Sequence, residues 1–302
     1  MKKIVLFLSL ALVFTTSVNA NDLTDTTNLA TADTVKKWTR SNTIIFTSEQ
    51  AYYNNWSAGG FSSFSFSGYY KAFYKYKKGN HAWDNNFDLG YGQMIQDVTG
   101  NGFNDPANHF QKSEDKIDIN SIYGYKVFVD WYASALLNVK SQFDNGYKYD
   151  NGDTTLVAST FSPAVLTSSV GLEYKKPSFS AMFSFLTGKT TFVGDNRLLP
   201  PSSTVLGFTE ENTHWYFSLG SFVKFFFQKD IFKNVNLLGK LEFFYDYSKP
   251  FLDTDISGEV FINMKVNKYL TAFISVQAIL DHDFNSTVQF KERFGISIPI
   301  TF

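Results

Sequence analysis

Three observations in this 302-residue sequence predict an all-β fold, a transmembrane antiparallel up-and-down β-barrel of about 12 strands with short periplasmic turns and long extracellular loops. Segments of two-residue alternation recur from Asn42 to the last residue. No stretch of about 18 apolar residues follows residue 20, which excludes helical spans. Aromatic residues reach 18%, with 33 Phe and 17 Tyr, as expected where lipid-facing and lumen-facing residues alternate. A secreted β-sandwich would also alternate, but its outward faces would carry more charge.

The first residues expect export. Met1-Lys2-Lys3 precedes an apolar run from Ile4 to Phe14 and a small-x-small site at Val18-Asn19-Ala20. Residues 1–20 therefore read as a cleaved signal peptide. With no cysteine there is neither a disulfide framework nor a lipid-attachment site. Residues 21–40 are polar and Thr-rich and read as a periplasmic N-terminal segment, leaving 41–302 for the barrel.

The segments are expected near Thr43 to Tyr53, Ser62 to Tyr76, Trp83 to Ile95, Ile117 to Val127 and Trp131 to Phe143. Leu166 to Tyr174, Phe179 to Phe185, Trp215 to Phe227, Val235 to Tyr247, Ile256 to Val266 and Leu270 to Leu280 follow. The closing strand carries Phe290, Phe294, Ile296, Ile298, Ile300 and Phe302 on one parity, and Phe302 is the candidate assembly signal. Short reversals are expected at Lys77 to Asn80, near Asp130, and at Lys175 to Ser178, Lys229 to Lys233 and Asn267-Lys268. Long connections are expected at Asp97 to Lys112, Asp144 to Val165 and Thr187 to His214. That asymmetry, with an even strand count, places both termini on the periplasmic side. Trp56, Trp83, Trp131 and Trp215 read as girdle residues.

The opposite parity supplies the lumen-lining candidates: Lys71, Lys75, Asp88, Asp118, Lys126, Lys140, Glu173, Lys224, Lys240, Glu242, Asp246, Glu259, Lys265 and Arg293. Both signs are mixed, so no single-sign eyelet is read. Either an open lumen passes small polar solutes, or the charges pair and, with inward Tyr69, Phe73, Phe222, Phe226 and Phe244, fill it. Catalysis is not expected, because His81, His109, His214 and His282 all fall in turns or loops. Asp97 to Gly102 and Asp150 to Asp153 are oxygen-rich but lack the distal Glu of a full calcium loop, so they read as turns. No cofactor or metal is expected, and a net charge of −1 gives no case for nucleic acid.

Asn55-Trp56-Ser57-Ala58-Gly59-Gly60, with Tyr91-Gly92, Asp115-Lys116-Ile117, Gly124-Tyr125-Lys126, Trp131-Tyr132-Ala133-Ser134, Ser141-Gln142-Phe143 and Lys233-Asn234-Val235, resembles a Bacteroidota outer-membrane family. That family is catalogued only as a domain of unknown function. The resemblance implies an outer-membrane β-barrel and supplies no activity, substrate or site residues. The expected role is a small pore or passive transport channel for small polar solutes. The alternative is an occluded barrel acting as a structural or accessory subunit of a larger outer-membrane complex. Expected partners are the outer-membrane bilayer with its lipopolysaccharide, the barrel-assembly machinery during biogenesis, and other outer-membrane or periplasmic proteins.

Overall fold

Alternating side chains close on themselves in the computed structural model, which describes residues 37–52, 62–99, 101–106, 108–150, 153–200, 213–282 and 285–302. Residues 1–20, which are expected to be a signal peptide, most of the polar segment and the Asn55 to Gly60 motif lie outside the described residues. Residues 36–301 form one compact unit.

Twelve antiparallel strands make the barrel: β1 (Trp38–Ala51), β2 (Ser63–Lys78), β3 (His81–Gln96), β4 (Gln111–Phe128), β5 (Trp131–Ser141), then β8 (Ala164–Lys176), β9 (Phe179–Phe192), β10 (Trp215–Phe232), β11 (Val235–Asp246), β12 (Asp255–Lys265), β13 (Thr271–Asp281) and β14 (Asn285–Thr301). Each pairs with its neighbours along the chain, and β14 closes the ring on β1. A separate hairpin of β6 (Gly146–Asp150) and β7 (Asp153–Ala158) occupies the connection between β5 and β8. The strand β1 begins at Trp38, three residues before the expected boundary at 41.

The short turns share one end. Gly79-Asn80, Val129-Asp130, Pro177-Ser178 and Lys233-Asn234 are two-residue loops between the paired residues Lys78–His81, Phe128–Trp131, Lys176–Phe179 and Phe232–Val235. Positive φ at Gly79 (56°), Asp130 (63°) and Asn234 (65°) supplies the reversal that matches the strands' right-handed twist. The β12–β13 turn is longer, and Asn267 Oδ1 holds it by accepting from the backbone of Tyr269 and Leu270 at 2.8 and 2.9 Å.

Other boundaries also move from expectation, and β4 begins at Gln111 rather than Ile117. The strand β9 continues to Phe192, so its connection begins at Val193 rather than Thr187. The strand β10 continues to Phe232, which leaves only Lys233-Asn234 as the turn. The extension of β9 starts at a bulge over Ser184 to Leu186, where register shifts on both sides. Ser184 Oγ donates to the Val170 carbonyl at 2.7 Å and accepts from Leu186 N at 3.2 Å. Glycines permit the close approach beside the bulge: a Cβ on Gly171 would lie 2.1 Å from the Phe183 carbonyl, and one on Gly220 would lie 2.0 Å from that of Tyr245. Gly220→Ala is expected to cost about 3 kcal/mol by overpacking. Denaturant unfolding in detergent micelles measures this, and a change within error would show that the backbone yields.

The outward face is apolar and exposed. Phe46, Leu137, Val170, Phe290 and Phe294 are each more than half exposed. A contiguous band of this kind belongs against hydrocarbon, not water. Asn42 on this face is satisfied by the hydroxyls of Tyr70 and Tyr74, which donate to its Oδ1 at 3.0 and 2.8 Å. Glu292, in register with Val276, is an exposed charge within the band. At the short-turn end an aromatic girdle contains Trp38 with Tyr76 and Trp83 (5.1 and 5.9 Å between ring centres), and Trp131 with Tyr174 (5.3 Å). At the other end Val193, Leu198, Leu199 and Leu156 form a small core linking the β9–β10 connection to the β6–β7 hairpin. Asp195 caps that turn, and hydrogen bonds from the Arg197 side chain hold its carboxyl well below the usual carboxylate range.

Candidate functional site

The inward parity produces several clusters of paired charges in the lumen, many of them built by strands that are not neighbours. Near the short turns, Lys175 of β8 meets Asp84 of β3 and lies 4.0 Å from Glu173, whose other oxygen accepts from Ser134 Oγ at 3.3 Å. Lys75 is in register with Asp84, and Lys126 with Tyr132, in the same region. Lys265, in register with Thr271, lies exposed at the end of β12.

Further in, Lys116 Nζ donates to Asp88 at 2.7 Å and lies 3.7 Å from Glu259. Lys71 reaches Asp88 at 3.8 Å, and Lys240 reaches Glu259 at 3.8 Å. Glu242 is held by Lys140 at 2.6 Å and Lys224 at 3.0 Å. Lys224 also donates to Asn120 Oδ1 at 3.1 Å, and Asn138 donates to Asp118 at 2.7 Å.

Toward the long connections, Glu114 accepts from Arg293 at 2.5 Å, Lys291 at 3.0 Å and the Tyr69 hydroxyl at 3.1 Å. Arg293 also lies 3.7 Å from Glu49. Lys189 of β9 reaches Asp255 at 2.7 Å and Asp281 at 3.3 Å. Asp246 accepts from Ser248 N and Oγ at 2.8 and 2.7 Å and so holds the start of the β11–β12 connection.

Apolar inward residues fill space beside the charges. Leu136, Met182, Phe222 and Phe244 form a buried cluster with Ile122 against it. Phe261 and Phe273 stack at 5.6 Å, with Lys71 5.0 Å above Phe261 and Arg293 5.9 Å from Phe273. Register sets the other two inward rings, Phe73 opposite Asn86 and Phe226 opposite Lys240.

The ring order makes the Lys116–Glu259 contact decisive. Strands β4 and β12 are six positions apart on a ring of twelve, so this contact spans the lumen from one wall to the wall facing it. Lys140–Glu242 and Glu114–Arg293 each bridge strands four positions apart. One cavity among these charges has a volume of about 230 Å³, and its wall includes Lys116, Lys140, Lys240, Glu242, Glu259 and Lys291.

Sequence reasoning missed several members of these clusters. Lys175 was expected in a turn, and Lys189 in the long connection after Phe185. Lys116 lies one residue before the expected start of its strand, and Glu114 lies next to a register shift between Gly92 and Gln93. Lys291, Glu49 and Asp84 do carry the inward parity, and simple extension of the alternation would have found them.

The histidines are dispersed: His81 Nδ1 is 2.6 Å from the Tyr123 hydroxyl and His214 Nδ1 is 2.8 Å from the Val193 carbonyl. Among the described residues no group of three or more His, Cys, Asp or Glu could hold a metal ion. In the Asp97 loop, Asp97 Oδ2 accepts from Gly102 N at 2.8 Å, and Asn108 Nδ2 donates to both Asp97 and the Gly102 carbonyl.

The chain is a transmembrane β-barrel of the outer-membrane type. Residues 48–147 match the model of a family described as protein of unknown function (DUF3078). That stretch runs from late β1 into β6 and contains the Asn55 to Gly60 motif. No curated protein matches the chain. Among solved structures, the translocator domain of autotransporter NalP from Neisseria meningitidis has 8% identity, covers 88% of this chain and 89% of its own, and gives a TM-score of 0.39. An outer membrane channel from Pseudomonas putida has 10% identity, covers 90% and 99%, and gives 0.38. Outer membrane phospholipase A from Escherichia coli has 11% identity, covers 85% and 92%, and gives 0.33.

Proposed function

We propose that this chain is an outer-membrane barrel whose lumen is occluded by its own ion pairs and that acts, without catalysis, as a structural or accessory subunit of a larger outer-membrane assembly. The short turns and both chain termini of the barrel face the periplasm, and the β6–β7 hairpin and the long connections face outward. What supports this reading over an open pore is the contact from Lys116 to Glu259 across the full width of the lumen. A solute would have to displace these paired charges to pass. Pulling such pairs apart without replacement leaves uncompensated charge in a low-dielectric wall.

The test is single-channel recording on the full protein, extracted gently from its own membrane and analysed by mass spectrometry in parallel. The expected result is no steady conductance, with other envelope proteins at fixed stoichiometry. Lys116→Ala combined with Glu259→Ala is expected to produce conductance steps. A lone native barrel with steady conductance would instead establish the pore.

A further inference from the structure

We propose that the rim of short turns binds anionic phospholipid headgroups selectively. Four of the five short turns carry or are flanked by lysine, and their exposed lysines include Lys78, Lys176, Lys229, Lys233 and Lys268. The acids on the same turns are Asp130, which pairs with Lys176 at 2.8 Å, and Asp230, which accepts from Asn236 at 2.8 Å. The whole chain has a net charge of −1, so this cation excess is local. The opposite end carries Asp97, Asp105, Asp144, Asp195 and Asp253 on its connections.

Position identifies the occupant as lipid. Lys78 and Lys176 lie two residues beyond the girdle rings Tyr76 and Tyr174, a step of roughly 6–7 Å along a strand. Girdle rings mark the boundary of the hydrocarbon, so ammonium groups one step further out stand at the level of headgroup phosphates. Two lysines lie over tyrosine rings: Lys176 is 6.0 Å from the centre of the girdle ring Tyr174, and Lys268 is 4.6 Å from that of its neighbour Tyr269. The same turns expose Phe128 (73%), Val129 (77%) and Phe232 (73%). Apolar tips beside lysines match a membrane surface, where the tip enters the leaflet and the charge meets the phosphate. The inference concerns the outer rim and does not depend on whether the lumen is occluded.

Three of the five tryptophans, Trp38, Trp83 and Trp131, stand at this rim, so their fluorescence reports the lipids in contact with it. The full protein is reconstituted in phosphatidylcholine vesicles containing brominated phosphatidylglycerol, or brominated phosphatidylcholine, as quencher. Native protein is expected to favour phosphatidylglycerol roughly fivefold at low salt, the effect of one well-placed lysine at a membrane surface. Lys→Gln at the five positions should bring the preference near unity, and Lys→Arg should retain it. Screening by about 0.5 M salt should reduce it in the native protein. Equal quenching by the two lipids in the native protein, or an unchanged preference in the Gln variant, overturns the proposal. If the Gln variant fails to insert, a native preference insensitive to salt overturns it instead. Equal quenching together with an acidic protein that co-extracts with native but not Gln-variant barrel also overturns it and assigns the rim to a protein partner.

Discussion

Glu242→Gln is expected to lower the stability of the barrel by about 3–5 kcal/mol, the cost of removing one partner from a buried ion network. Glu242 is the shared acceptor of Lys140 and Lys224, which come from β5 and β10 and meet it on β11. Glutamine keeps the shape and one acceptor oxygen but leaves two ammonium groups facing each other in the lumen. Asn120 offers Lys224 a neutral oxygen at 3.1 Å, which does not replace a charge. Denaturant unfolding in micelles, followed by tryptophan fluorescence, measures the loss. Adding Lys140→Met and Lys224→Met to Glu242→Leu is expected to recover most of it, because replacing a whole buried charged set by apolar groups is often neutral. The test also reads hydration. Were the lumen a water-filled channel, the triad would behave as a surface pair worth about 1 kcal/mol or less, and Glu242→Gln would be nearly silent. A silent substitution would therefore count against both the buried network and the occluded lumen.

The barrel was legible because its determinants are local. Strand parity is set by each residue and its neighbour two positions away, and Phe64, Phe66 and Tyr70 or Lys71 and Lys75 reveal it without knowledge of the partner strand. Turn chemistry is equally local, as at Gly79-Asn80 and Pro177-Ser178. Membership of the lumen set follows from parity, but who meets whom inside does not. Lys116 finds Glu259 because β4 and β12 are opposite on the ring, and no sequence interval encodes that distance. The same holds for Glu114 and Arg293, which are 179 residues apart. The bulge at Ser184 to Leu186 hid Lys189 for a related reason. An extra residue resets the alternation, so Phe183 and Leu186 both pair with outward residues of β8, and a strict two-residue period ends the strand early. The β6–β7 hairpin was missed because its strands of 5 and 6 residues are short. Asp150 and Asp153, which bound the expected turn, pair at the ends of these two strands, and residues 151–152 lie outside the described residues.

Deleting residues 285–302 is expected to abolish the folded outer-membrane form altogether. The strand β14 pairs with β13 from Thr271–Ser297 to Asp281–Asn285, and with β1 from Thr43–Thr301 to Ser48–Ile296. Removing it leaves two strand edges with unpaired backbone donors and acceptors at membrane depth, each costing several kcal/mol in hydrocarbon. The seam with β1 is the shorter of the two: six residue pairs, against the fourteen that join β1 to β2. Above Ser48 the two walls are tied through the lumen by Arg293, which reaches both Glu49 and Glu114. Deletion therefore removes ladder and ion bridge together, and β13 has no comparable register with β1 to replace them. Fractionation and immunoblotting of cells expressing the truncated chain should find it degraded or in the periplasm, without the heat-modifiable band of a folded barrel. Recovery of heat-modifiable truncated protein in the outer membrane would show that eleven strands can close, and would remove the β1–β14 seam from its place in holding the barrel shut.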